Sequence, residues 1–305
     1  MAYLAPVDGV LNVWVGSIEA EDYQPVTQDR DRGIRIYFWG FDGHTMYHLQ
    51  DVGGDEDWCL YATDLGTGET ASLTPFEGVQ VQIVAYRKQF PTDMIVAINK
   101  DNAAAHDAYH LDLSSRKLSL VGKNPGNIIG WLADADLQVR GALAANDDAG
   151  FDLLVRHDPR AEWRTLISWS RDDSLTSGPK GFTRDGTGLY LADSREHNAA
   201  RLVQLDIATG ETTVLAQDPH YDVGPTMMHP DTREVQAVGF VRERLEWEVL
   251  DPSVEADFEA IAGLHAGDYA VYDRTVDDKI WLVGFMHDAG PISYYAFDRT
   301  KRQER

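Results

Sequence analysis

Leu60-Tyr61-Ala62-Thr63-Asp64-Leu65-Gly66-Thr67-Gly68-Glu69 returns later in the chain as Leu202-Val203-Gln204-Leu205-Asp206-Ile207-Ala208-Thr209-Gly210-Glu211. Each copy is a short run of alternating polarity that ends at an aspartate and passes into a Thr-Gly turn. Less complete copies end at Asp112, Asp158, Asp251 and Asp298, and Val13-Trp14-Val15-Gly16-Ser17 is a degenerate one. The marker positions 17, 64, 112, 158, 206, 251 and 298 lie 45 to 48 residues apart. A fixed period of that size marks a chain of stacked supersecondary units. Helical repeats share the period, so the local pattern must decide. Leu189-Tyr190-Leu191-Ala192, Arg201-Leu202-Val203-Gln204-Leu205 and Thr212-Thr213-Val214-Leu215 alternate and are rich in β-branched and aromatic residues, which reads as strand. Asp-Gly, Thr-Gly and Pro-Asp clusters separate them and make turns. The expectation is an all-β chain, residues 1–305 forming a single seven-bladed β-propeller of four-stranded antiparallel blades.

The marker aspartate has a mechanical reading. An Asp at the head of a tight turn accepts hydrogen bonds from backbone N–H groups two residues on, and Gly68 or Gly210 supplies the positive φ at the exit. Asp64, Asp112, Asp158, Asp206, Asp251 and Asp298 are therefore expected to open the hairpin between third and fourth strands. Sitting one per blade, they cannot converge on a metal ion. A second turn, about 20–22 residues upstream, appears as Phe41-Asp42-Gly43, Thr183-Arg184-Asp185-Gly186 and His229-Pro230-Asp231. Both ends of the repeat look cut. Ala2-Tyr3-Leu4-Ala5-Pro6 aligns with a second strand, and no fourth strand is expected after Asp298. The first and last blades are thus predicted incomplete, in a chain excised from a longer polypeptide or closing on a composite blade.

Composition narrows the function. Lys and Arg number 27 against 50 Asp and Glu, a formal charge of −23. Such a chain does not attract a nucleic-acid backbone and is repelled by anionic membranes; the acidity reads as a device for solubility. No apolar run approaches the ~18 residues of a membrane span. The one cysteine, Cys59, lies in a strand-like run and reads as an inert thiol. No secretory signal opens the sequence, so a cytoplasmic location is expected. There is no Gly-x-Ser-x-Gly, no His-Glu-x-x-His and no paired-Cys motif, so no catalytic residue, metal site or cofactor is assigned. The acidic pairs Asp134/Asp136, Asp147/Asp148, Asp172/Asp173 and Asp277/Asp278 read as solvated turns. Trp39, Trp131, Trp169 and Trp281 read as packing between blades.

The opening run from Ala2 through Asp8-Gly9 to Val13-Trp14-Val15-Gly16 resembles the first propeller blade of prolyl oligopeptidase-family serine peptidases. Residues 34–73, with Phe41-Asp42-Gly43 and the turn at Asp64, resemble the next blade, and Asn99-Lys100 followed by Asp107-Ala108-Tyr109-His110-Leu111-Asp112-Leu113 is similar to the one after. The resemblance covers the chain but only the propeller half of such a protein. It implies a partner α/β-hydrolase domain in the same parent chain that carries Ser, Asp and His, with the propeller capping it and admitting short peptides. It implies no peptidase activity for this chain alone, and it transfers no substrate-binding residue. A free-standing WD40- or TolB-like propeller that binds proteins or peptides is the alternative, and a funnel-site glycosidase or lactonase is a third reading.

Overall fold

The alternation of the sequence becomes seven antiparallel sheets, each made of strands consecutive in the chain. The structure, a computed structural model, describes residues 1–20 and 22–304. Blade 1 holds Ala2–Val7, Val10–Val15 and the short Gln24–Pro25. Blade 2 holds Ile36–Trp39, Thr45–Gln50, Cys59–Asp64 and Thr70–Ser72. Blade 3 holds Val81–Arg87, Phe90–Ile98, Asp107–Asp112 and Lys117–Gly122, and blade 4 holds Ile128–Ala133, Val139–Ala145, Phe151–Val155 and Arg164–Trp169. Blade 5 holds Gly178–Phe182, Gly188–Asp193, Arg201–Asp206 and Thr212–Ala216. Blade 6 holds Val223–Met228, Val235–Val241 and Leu245–Val249. Blade 7 holds Asp268–Arg274, Ile280–Met286, Ser293–Asp298 and Gln303–Glu304. The fold is a seven-bladed β-propeller.

Contact density divides the chain into two compact units, and the division falls within blade 4. In the first unit, Val13 of blade 1 packs with Met46 of blade 2 and with Ile34 in the segment between the two blades, and Leu49 and Leu60 of blade 2 pack with Met94, Val96 and Leu111 of blade 3. In the second, Tyr190 and Leu202 of blade 5 meet Val235, Val238 and Phe240 of blade 6. The second strand of blade 5 is buried at all six positions. A strand covered on both faces loses strict polar alternation, which is why Gly188-Leu189-Tyr190-Leu191-Ala192 reads as almost continuously apolar. Each fully buried leucine or valine contributes roughly 1.5–3 kcal/mol.

Two blades depart from the expected pattern. After Asp298 the chain does form a fourth strand, short as it is, in which Gln303 and Glu304 pair with Asp298 and Phe297. Among the described residues, the sheet of blade 6 ends at its third strand, Leu245–Val249. Asp251 Oδ1 accepts from Ser253 N–H at the head of a 3-10 turn, Pro252–Val254, and helix α1 (Glu255–Ala262) follows. Proline has no N–H to give a strand ladder, yet fits the first turn of a helix. Val254, Phe258 and Ile261, spaced to share a helix face, are all buried against blade 7 residues including Trp281 and Phe285.

One glycine in a tight turn is sterically fixed. Gly150 closes a turn in which Asn146 Oδ1 accepts from the N–H groups of Asp148 and Gly150. A Cβ at Gly150 would lie 2.1 Å from the Trp169 carbonyl oxygen and 2.7 Å from the Ser170 carbonyl carbon. Both are backbone atoms of the paired strand region and cannot swing aside. Gly150→Ala is expected to cost about 1–3 kcal/mol, as overpacking does, read from urea unfolding. An unchanged midpoint would show that the two strands separate freely there.

Candidate functional site

The marker aspartates hold turns by accepting from backbone. Asp64 Oδ1 accepts from Gly66 and Thr67 N–H at 2.9 and 2.8 Å, and Gly68 leaves the turn at φ 74°. Asp206 repeats this with Ala208 and Thr209, and Asp112 with Ser114 and Ser115. Asp158 accepts from Arg160 N–H, and Asp298 from Thr300 and Lys301 N–H. Those backbone donors hold the carboxyls of Asp64, Asp112, Asp158 and Asp206 below the usual range, because the donors favour the charged form. Asp251 is held down first by the Gln236 side-chain amide. In the upstream turns Asp42 Oδ1 accepts from His44 and Thr45 N–H, and Asp185 Oδ1 from Thr187 N–H. At the corresponding turn of blade 6 the acceptor is His229 Nδ1, which receives Asp231 and Thr232 N–H.

The other sequence candidates are structural in their contacts. Trp131 Nε1 donates to the His106 carbonyl, Trp169 Nε1 to Asp193 and Trp281 Nε1 to Asp278, while Trp39 is half-buried in the blade 1–2 core. Burial pushes the Cys59 thiol up, away from thiolate. Asp134 Oδ1 accepts from Asp136 N–H, Asp173 Oδ2 from Ser170 Oγ–H, Asp148 lies in the Asn146 turn, and Asp277 pairs with Lys279. Among the described residues no group of three His, Cys, Asp or Glu could hold a metal ion.

A concave surface of different character lies at the end of blade 5 remote from the Asp206 turn. It is an open cleft of about 380 Å³ whose lining includes His197, Asn198, Arg201, Gln217 and Asp218. The loop 194–200 brings His197 and Asn198, and the inter-blade link 217–222 brings Gln217 and Asp218. The Asn198 amide donates across the cleft to the Pro219 carbonyl. Sequence reading singled out none of these residues, since they share no motif.

No family model matches the chain. It is 40% identical over 301 residues to a dipeptidyl aminopeptidase BIII of Pseudoxanthomonas mexicana, across 98% of this chain and 44% of that protein. The chain is thus similar to that peptidase along nearly its whole length. A dipeptidyl peptidase family member 6 of Caenorhabditis elegans is 21% identical over 322 residues, with 99% of this chain and 43% of that protein covered. The chain spans less than half the length of the curated relatives it matches. A solved prolyl endopeptidase superposes with a TM-score of 0.68 at 9% identity, over 97% of this chain and 46% of that one, a likeness of fold. No helix among the described residues is long and apolar enough to cross a membrane.

Proposed function

We propose that residues 1–305 form one non-catalytic propeller domain of an oligopeptidase-type serine peptidase, where they cap an α/β-hydrolase domain of the same polypeptide and gate the entry of short peptides. The observation that carries this is the asymmetry of coverage: the alignment takes in nearly all of this chain yet under half of a relative named as a dipeptidyl aminopeptidase. The sequence holds no Gly-x-Ser-x-Gly, so the bond-breaking groups of such an enzyme would lie elsewhere. The role left to a propeller is exclusion: an entry too narrow for folded protein, and closure that keeps water from the chemistry. A cytoplasmic setting belongs to the same proposal.

A chimera tests it. Residues 1–305 replace the propeller of the P. mexicana enzyme, and the same graft with that enzyme's own propeller serves as control. The chimera is expected to cleave dipeptidyl anilides within about tenfold of the control, roughly 1.4 kcal/mol of barrier, and to spare folded protein and long peptides. The isolated chain is expected to cleave none of them. A chimera that cuts long and short substrates alike, or an active isolated chain, overturns the proposal.

A further inference from the structure

We propose that the blade 5 cleft is an anion subsite in which Arg201 receives the C-terminal carboxylate of a short peptide. The choice of a peptide as the source rests on the peptidase reading; the carboxylate chemistry rests on the cleft.

Arg201 opens the third strand of blade 5, directly across from Asp193. That carboxylate is already committed, accepting from Arg195 Nε and Nη2 at 2.9 and 3.0 Å and from Trp169 Nε1 at 3.1 Å. The cleft's own acid is committed as well. Asp218 Oδ1 accepts from His220 and Tyr221 N–H, and its Oδ2 from Arg242 Nε and Nη2 at 3.1 and 2.7 Å. Asp222 Oδ1 takes Ala200 N–H. Arg201 therefore makes no ion pair among the described residues, and its Nε is buried without an acceptor. In a chain with 50 acidic and 27 basic side chains, a guanidinium without a carboxylate is not explained by a shortage of carboxylates. A buried donor with no partner calls for an acceptor. The planar fork of arginine matches the two oxygens of a carboxylate. Beside it the exposed His197 ring and the Gln217 amide offer further donors. The volume lies at the small end of ligand pockets, roughly 300–1,000 Å³, enough for the last residue or two of a peptide.

The test follows arginine side-chain N–H resonances of the ¹⁵N-labelled chain during titration with N-acetyl-Ala-Ala, its C-terminal amide, and inorganic phosphate. The Arg201 signal is assigned by its loss in Arg201→Lys, whose urea midpoint is checked against the parent. Saturable movement of the Arg201 Nε–H signal by the free acid is expected, at least tenfold weaker with the amide and lost in Arg201→Lys. Equal binding of acid and amide overturns the proposal, as does binding of phosphate alone or no binding. A failed titration beside a selective chimera would sink the subsite and leave the gating role standing; the reverse result would do the opposite.

Discussion

Replacing Arg299 with methionine is expected to cost about 3 kcal/mol of stability, and neutralising Asp257 in the same chain is expected to return most of it. Arg299 follows the Asp298 turn and reaches under α1. Its Nε and Nη2 donate to Asp257 Oδ2 at 2.9 and 2.8 Å, and its Nη1 to the Asp278 carbonyl at 2.9 Å and to the Asp278 carboxylate. Its guanidinium carbon lies 4.5 Å from the centre of the Trp281 ring, and that of Arg274 4.9 Å from the same ring. The Asp257 side chain is only 6% exposed and that of Arg299 20%, so both charges have left water. Removing one partner strands the other, which costs about 3–5 kcal/mol, whereas removing both is often close to neutral. Arg302 Nε, 3.8 Å from Asp257 Oδ1 and largely exposed, softens the loss and sets the lower figure. The comparison pair is Arg244 with Asp288, exposed at 55% and 84%; Arg244→Met should change stability by less than about 1 kcal/mol. Urea unfolding of Arg299→Met, Asp257→Asn and the double variant closes the cycle. If Arg299→Met matches Arg244→Met, or if the double loss equals the sum of the single losses, the helix is held by its apolar face alone.

The marked turns show what the sequence displays and what it hides. The turns at Asp64 and Asp206 are legible because their chemistry closes within five residues: acceptor, two N–H donors and a glycine of positive φ are all neighbours in the chain. Repetition of that local unit is enough to count blades. Asp251 carries the same mark and does something else, since Pro252 diverts the chain into a helix start. The spacing of Val254, Phe258 and Ile261 was the signal for α1, and it is too short to stand out among strands. The two-residue strand at Gln303 is fixed by pairing alone and has no pattern of its own. Arg201 was hidden for a different reason. Whether it is paired depends on Arg195 and Trp169 winning Asp193, and on Arg242 winning Asp218. Those are contests between groups 2 to 24 positions apart, decided only when the blades are packed.

Burial on both faces also hides a titrating group, and stability is expected to fall as pH drops from about 6.5 to about 4 because of it. His48 lies in the second strand of blade 2, between Tyr37 and Tyr61 in register, with its ring stacked on Tyr61 at 5.3 Å. It is 2% exposed, and its Nδ1 has no hydrogen-bond partner. Burial lowers its pKa to about 4, against a weaker upward pull from Asp29. The folded chain then keeps this ring neutral at a pH where the unfolded chain has already taken up a proton. The stabilisation is complete above the unfolded value near 6.5 and is lost as pH falls through the folded value. A shift of that size corresponds to about 3 kcal/mol. His106, lowered by the same cause, acts in the same direction. The carboxyls of Asp64, Asp112, Asp158, Asp206 and Asp251 are held below their usual range and that of Asp277 at about 2, so their protonation on acidification is a separate, later event. His48→Phe keeps an aromatic ring against Tyr61 and removes the proton site. Urea unfolding at pH 7.5, 5.5 and 4.5 should show a clearly shallower decline for His48→Phe than for the parent chain. Parallel declines would place the acid sensitivity elsewhere, and would mean that the strand opens far enough for water to solvate the His48 imidazolium without unfolding the blade.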